Sequence, residues 1–185
     1  GGMDTPTVYI EREPLYNMVL AAIETYNREC FGYIFGQVPT RRRNSFIITN
    51  AVAVQLAYKR KNTEIEQSRA SAARMGEIFQ QYRDVYPMLG DFHSHPQWKH
   101  HQREAFFSPG DIQDMLKQQY SIGVVIKISR VNRDRILWHA VPQGGLKGSL
   151  GRYKFHVNVC RVVEKDGIHT QEFLEIDAGP AMKSL

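Results

Sequence analysis

The chain has 185 residues, 42% of them hydrophobic, which is enough for one packed domain and short for two. Its net charge of +5 is spread over a sequence in which no apolar run approaches the roughly 20 residues of a membrane helix, so a membrane-spanning chain is not expected. Cys30 and Cys160 give neither a disulfide framework nor a C-x-x-C site; with no charged-then-apolar leader in view, a cytoplasmic protein is expected.

Gly1 and Gly2 precede Met3 and read as an added lead-in, so the fold is taken as residues 3–185 in a single domain. Residues 8–13 (VYIERE) read as a short strand. Pro14 then opens a helix in which Leu15, Met18, Val19, Ala22, Ile23 and Tyr26 recur at helical spacing. CFGYIFGQV follows as a strand, RRRN as a turn, and residues 45–55 (SFIITNAVAVQ) as its hairpin partner. Ile65, Ala72, Met75, Ile78, Phe79 and Tyr82 predict a long helix that begins near residue 63 and is closed by Pro87. MLGDFHSHP reads as a strand running out to a loop, PGDIQDMLKQQY as a short helix and SIGVVIKISR as a buried central strand. RILWHAVP is expected to pair with that strand through a turn at residues 131–134, and Gly144, Gly145, Gly148 and Gly151 to mark a flexible loop. Residues 153–176 form a hairpin about Asp166 and Gly167. Strands and helices mixed in this order predict an α/β protein, a mixed β-sheet flanked by helices.

The positive charge is uneven. Arg41, Arg42, Arg43, Lys59, Arg60 and Lys61 fall in a stretch without a single acid. A solvated loop is the plainest reading; an acidic protein partner comes next, and nucleic acid after it, since no nucleic-acid motif accompanies the charges.

GDFHSHP (90–96) holds two histidines one residue apart. In a strand they share a face about 7 Å apart, with Ser94 turned away. Two imidazoles can converge on one ion, but a hydrolytic zinc site keeps three protein ligands and one open position, so the pair lacks a partner. SPGD (108–111) is first a helix start: Ser108 as N-cap, Pro109 at the first helical position, Asp111 three residues after the cap. A start fixed in this way also holds the Asp111 carboxylate rigidly, as a ligand must be held.

ECFGYIFG (29–36), HSHP and SPGD together resemble the JAMM (MPN-plus) metallopeptidases, whose pattern is an upstream Glu followed by His-x-His-x7-Ser-x-x-Asp. The resemblance spans residues 8–142 and implies a cytidine-deaminase-like architecture, with the hairpin near 153–177 as an extension. It implies one zinc ion per chain held by His93, His95 and Asp111, Glu29 as general base and Ser108 as a supporting hydroxyl. Bound zinc would lower the pKa of water toward about 7. The implied activity is that of a hydrolase acting on amide or isopeptide bonds after the Gly-Gly tail of a ubiquitin-like or sulfur-carrier protein, an acidic carrier suiting the basic stretch. A homo-oligomer is compatible with the sequence.

This chain has twelve residues between His95 and Ser108 where the pattern has seven. The extra length carries Trp98, His100, His101, Phe106 and Phe107: a surface loop with its aromatics folded back, a lid or substrate clamp, or an inhibitory element with a histidine in the open metal position. Two other classes stay open. A non-catalytic MPN scaffold would usually lack the ligands, and a basic nucleic-acid-binding domain would bind without zinc. A deaminase is disfavoured by the missing cysteine pair.

Overall fold

Strand β1 (Thr7–Ile10) turns Val8 and Ile10 inward and stops short of the expected residue 13. Helix α1 (Arg12–Glu24) takes over there, with Pro14 in its first turn, where a missing N–H leaves no bond unmade. α1 buries Leu15, Met18, Val19 and Ala22 of the predicted stripe, with Ile23 partly buried, and ends before Tyr26, which packs on the core from beyond it. β2 (Phe31–Gln37) and β3 (Ser45–Ala53) are antiparallel partners as expected, and the Arg43 guanidinium ties their turn to Val38 C=O and Gln37. In this computed structural model residues 5–54, 57–60, 64–67, 69–96, 105–131, 134–142 and 144–185 are described, with the backbone alone at 57–60, 64–67, 69 and 184.

The expected long helix is shorter. β4 (Ala57–Arg60) pairs antiparallel with β5 (Glu64–Gln67), and α2 (Arg69–Tyr82) starts only afterwards. Glu64-Ile65-Glu66 alternates with a period of two as readily as it fits a helix, and the pairing of Ile65 with Lys59 decides for the strand. α2 also ends before Pro87, at Tyr82, whose C=O accepts from the N–H groups of Val85 and Tyr86.

β6 (Met88–Pro96), α3 (Pro109–Gln118) and β7 (Ile122–Arg130) follow, with β6 and β7 parallel and adjacent. β8 (His139–Val141) does not pair with β7, as the sequence predicted; it pairs with β9 (Gly145–Leu150) at the end of the sheet. The free edge of β7 is taken instead by β10 (Tyr153–Lys165), which forms the predicted hairpin with β11 (Ile168–Leu174). Asp166 and Gly167 both have positive φ, 54° and 78°, as a type I′ two-residue hairpin turn requires. β12 (Ile176–Asp177) and α4 (Gly179–Ser184) close the chain.

Of the glycines expected to mark a flexible loop, Gly145 and Gly148 lie in the strand β9, and Gly144 and Gly151 stand in the turns at its two ends. A Cβ on Gly148 would lie 2.3 Å from the Trp138 indole, which sits over β9, stacked on Phe155 and bonded through Nε1 to Ser149 C=O. The glycine gives room for a close approach.

Among the described residues the main sheet runs β12-β1-β3-β2-β6-β7-β10-β9-β8, with β11 beside β10. One face carries α1, α4 and the main core, including Phe92, Ile126, Phe155 and Val157. The other carries α3 over a smaller cluster of Phe107, Met115, Val125 and Cys160. This is the α/β mixed sheet flanked by helices that the sequence predicts. No helix among the described residues is long and apolar enough to cross a membrane.

Gly148→Ala is expected to destabilise the protein by about 1–3 kcal/mol through overpacking against Trp138. Gly76→Ala in α2, where a Cβ meets nothing within 4 Å, should stabilise it by about 0.5–1 kcal/mol. Denaturant midpoints of the two variants check both signs.

Candidate metal centre

Alternation along β6 sends Asp91, His93 and His95 to the α3 face and Ser94 to the other. Both histidines are buried, with ring centroids 4.9 Å apart. β6 is paired on both edges, with His93 opposite Phe31 on one side and Val125 on the other, so the ladder fixes the spacing of the histidines.

α3 begins as SPGD predicts. Ser108 Oγ accepts from the Asp111 N–H at 3.1 Å, and Asp111 Oδ2 accepts from the Ser108 N–H at 2.7 Å, a closed capping box. The same Oδ2 lies 3.2 Å from His93 Nε2 and 3.8 Å from His95 Nε2. One donor atom from each residue falls within 4.8 Å of the others. Ligands on a tetrahedral ion with bonds of about 2.0–2.2 Å stand about 3.3–3.5 Å apart, so these three fit a metal of that kind. Exposure is graded, 10% and 3% for the histidine side chains and 24% for Asp111, so the cluster opens to solvent on the carboxylate side.

Without an ion the charges pair among themselves. Burial opposes a charge on His93, but the Asp111 carboxylate and its hydrogen bond outweigh that, and His93 is pushed up to about 9. Burial likewise works against ionised Asp111, yet His93, the Ser108 N–H and His95 hold its carboxyl well below the ordinary range. Burial pushes Asp91 up to about 6; His93 pulls it down, and Asp111 and Asp114 push it up.

Glu29 lies after the end of α1, half-buried, and its charge is among those that favour a proton on His93. Its place is set from the back of β6. Ser94, fully buried, accepts from the Cys30 N–H through Oγ at 2.7 Å, and its own N–H donates to Cys30 C=O at 3.2 Å. The sequence places Ser94 on the face away from the histidines but does not name the partner that its hydroxyl needs in that core. Sequence reading passed over Asp91, two residues before His93 and therefore on its face. Asp91 and Asp114 help line a cleft of about 520 Å³ between α2, α3 and the sheet, with Tyr33, Phe79 and Tyr120 as aromatic walls. Burial pushes the Cys30 and Cys160 thiols up to about 11 and about 12, away from any nucleophilic role.

Trp98, His100 and His101, on which the lid and inhibitory readings rest, lie outside the described residues. Phe107 is folded into the core, whereas Phe106 is 45% exposed. Arg41 and Arg42 are exposed at the turn beyond Gln37; at about 3.4 Å per residue, that end of β2 is some 20 Å from Phe31 beside the histidines.

A two-histidine, one-carboxylate cluster at the carboxyl end of a parallel strand pair defines an α/β protein with a candidate metal centre. Residues 13–140 match the family model described as prokaryotic homologs of the JAB domain, and the chain belongs to that family. No curated protein matches the chain as a recognisable relative.

A metal ion requires His93 to be neutral, so its binding displaces the proton that Asp111 retains there. The raised pKa sets the sign. In the metal-free protein the His93 charge adds stability below its ordinary value of 6.5 and loses it as pH rises through about 9. The Asp111 contribution is present above the ordinary 3.8 and is lost as pH falls through its lowered value. Zinc affinity should therefore rise about tenfold per pH unit between 7 and 9, with one proton released per ion. Calorimetric titration in buffers of different ionisation enthalpy measures both.

Proposed function

We propose that this protein is a zinc-dependent isopeptidase or peptidase that cleaves after the C-terminal tail of a ubiquitin-like or sulfur-carrier protein. The observation that carries the reading is the convergence of His93, His95 and Asp111, open on the carboxylate side, in a chain of the JAB family. In this reading residues 3–185 act as one domain. The two unpaired, buried cysteines suit a reducing cytoplasm.

His93 and His95 would hold the ion from the strand and Asp111 from the helix start. When bound, zinc supplies Lewis acidity that makes water a nucleophile near neutral pH. Glu29 takes the proton of the attacking water and passes it to the leaving amine. Ser108 Oγ already accepts from the Asp111 N–H, so its own O–H is left to donate to the developing oxyanion. An extended tail suits the surroundings: among the described residues β4 and β5 pair only with each other, off the main sheet, which leaves edges for an added strand. An acidic face on the carrier would meet Arg41 and Arg42 away from the scissile bond.

Purified protein analysed for zinc and incubated with ubiquitin-like fusions tests the reading. Glu29→Gln should keep a full complement of zinc and lower kcat about 10²–10⁴-fold; cleavage at the wild-type rate would remove Glu29 from the role of base. A zinc-loaded wild type that leaves every fusion intact would sink the peptidase reading. Ser108 has two tasks that separate by substitution. Ser108→Ala should lose about 1 kcal/mol of stability as a cap and lower kcat about 10²–10³-fold. Ser108→Gly should recover most of the stability and none of the rate.

A further inference from the structure

The backbone just before Ser108 is gripped by residues far along the chain. The Gln171 side chain on β11 closes both hydrogen-bonding groups of Phe107: Oε1 accepts from the Phe107 N–H at 2.8 Å, and Nε2 donates to Phe107 C=O at 2.9 Å. Two residues earlier, the buried Asn158 on β10 donates from Nδ2 to Ala105 C=O at 2.7 Å. The Phe107 ring is held as well. It is 2% exposed, lies nearly parallel to the His93 ring at 6.2 Å and 24°, and fills the space left by Gly123, where a Cβ would come within 2.7 Å of it.

We propose that Gln171, supported by Asn158, is a positioning residue for the metal centre: its amide pins Phe107 and thereby the start of α3, which aims the Asp111 carboxylate at His93 and His95. Five residues more than the family pattern lie between His95 and Ser108. The anchor comes from the opposite side, from a hairpin beyond the family-matched residues 13–140. The amide serves Phe107 as a neighbouring strand would, leaving neither backbone group unpaired where water has little access. A shift at Phe107 passes to Asp111 through the capping box, because Ser108 N–H and Asp111 Oδ2 are bonded to each other.

The inference rests on the assignment of His93, His95 and Asp111 as metal ligands, and its test separates the two. Gln171→Met keeps the length of the side chain and removes both hydrogen bonds; Gln171→Glu keeps the acceptor for the Phe107 N–H and loses the donor. Leu174→Ala, in the core beneath the same strand, weakens the hairpin without touching the amide. Zinc dissociation constants from chelator competition, the visible absorption of the cobalt-substituted protein, and amide exchange of residues 107–112 in the metal-free protein are compared. Gln171→Met should weaken zinc binding about 10–100-fold, perturb the cobalt spectrum and speed exchange at 107–112, with Gln171→Glu between it and wild type. Leu174→Ala should lower the melting temperature and leave zinc affinity unchanged. Wild-type zinc affinity in Gln171→Met, or an equal loss in Leu174→Ala, would overturn the positioning role. A wild type that binds no zinc would overturn the ligand assignment, while the exchange comparison would still decide whether Gln171 anchors α3.

Discussion

One carboxylate oxygen, Asp111 Oδ2, is the point on which the site depends. It takes the Ser108 N–H, stands 3.2 Å from His93 and 3.8 Å from His95, and belongs to the first turn of a helix whose N-terminal dipole favours negative charge. A partly buried carboxylate would otherwise drift toward the neutral form. Here the hydrogen bond, the dipole and the imidazoles all favour the anion, so the group arrives ionised where a cation can replace the histidine proton. Two imidazoles on one strand would not achieve this alone, because buried charges need partners.

Topology explains why the remaining groups meet there. β6, α3 and β7 form a crossover unit, and in such units the carboxyl ends of the parallel strands are where ligands collect. His93 and His95 stand at the end of β6, and the chain then leaves for α3, so histidines and helix start are brought to the same rim. β2 runs antiparallel to β6, which puts its beginning, rather than its end, at that rim. Glu29 precedes β2 by two residues and is delivered beside His93 by the pairing of Phe31 with His93, although more than sixty residues intervene. The bond from Cys30 to Ser94 locks the two segments together on the reverse face.

What the sequence discloses follows from how local each signal is. The period of two around His93 and the cap at Ser108 are short-range facts, and both stand in the structure as read. The Asp166-Gly167 turn is another, since this residue pair suits the positive φ that a type I′ turn takes at both positions. Strand partners are not local. Nothing between residues 135 and 141 says that β10 will claim the edge of β7, so β8 was assigned the wrong neighbour. Gly145 and Gly148 read as flexibility when taken alone, because what crowds them, β10 at Val157 and Asn158 for the first and the Trp138 ring for the second, lies in other segments. Gln171 is the extreme case: a polar residue on a half-exposed strand, its role set wholly by Phe107, sixty-four positions away.

β10 shows why the chemistry cannot be separated from the chain that follows it. β7 is apolar on both faces, as a central parallel strand must be, and an unpaired edge along it would be an open template for association. β10 covers that edge from Tyr153 to Cys160 and sends Phe155, Val157 and Val159 into the main core. On the opposite face its Cys160 packs with Phe107 and Met115 beneath α3. The segment that bears the candidate metal ligands is thus completed by residues past 150, which seal the sheet on one side of β10 and seat α3 on the other. Sheet closure and support of the candidate metal site are shared by one strand, and it is the α3 face of β10, where Cys160 meets Phe107, that communicates with Asp111.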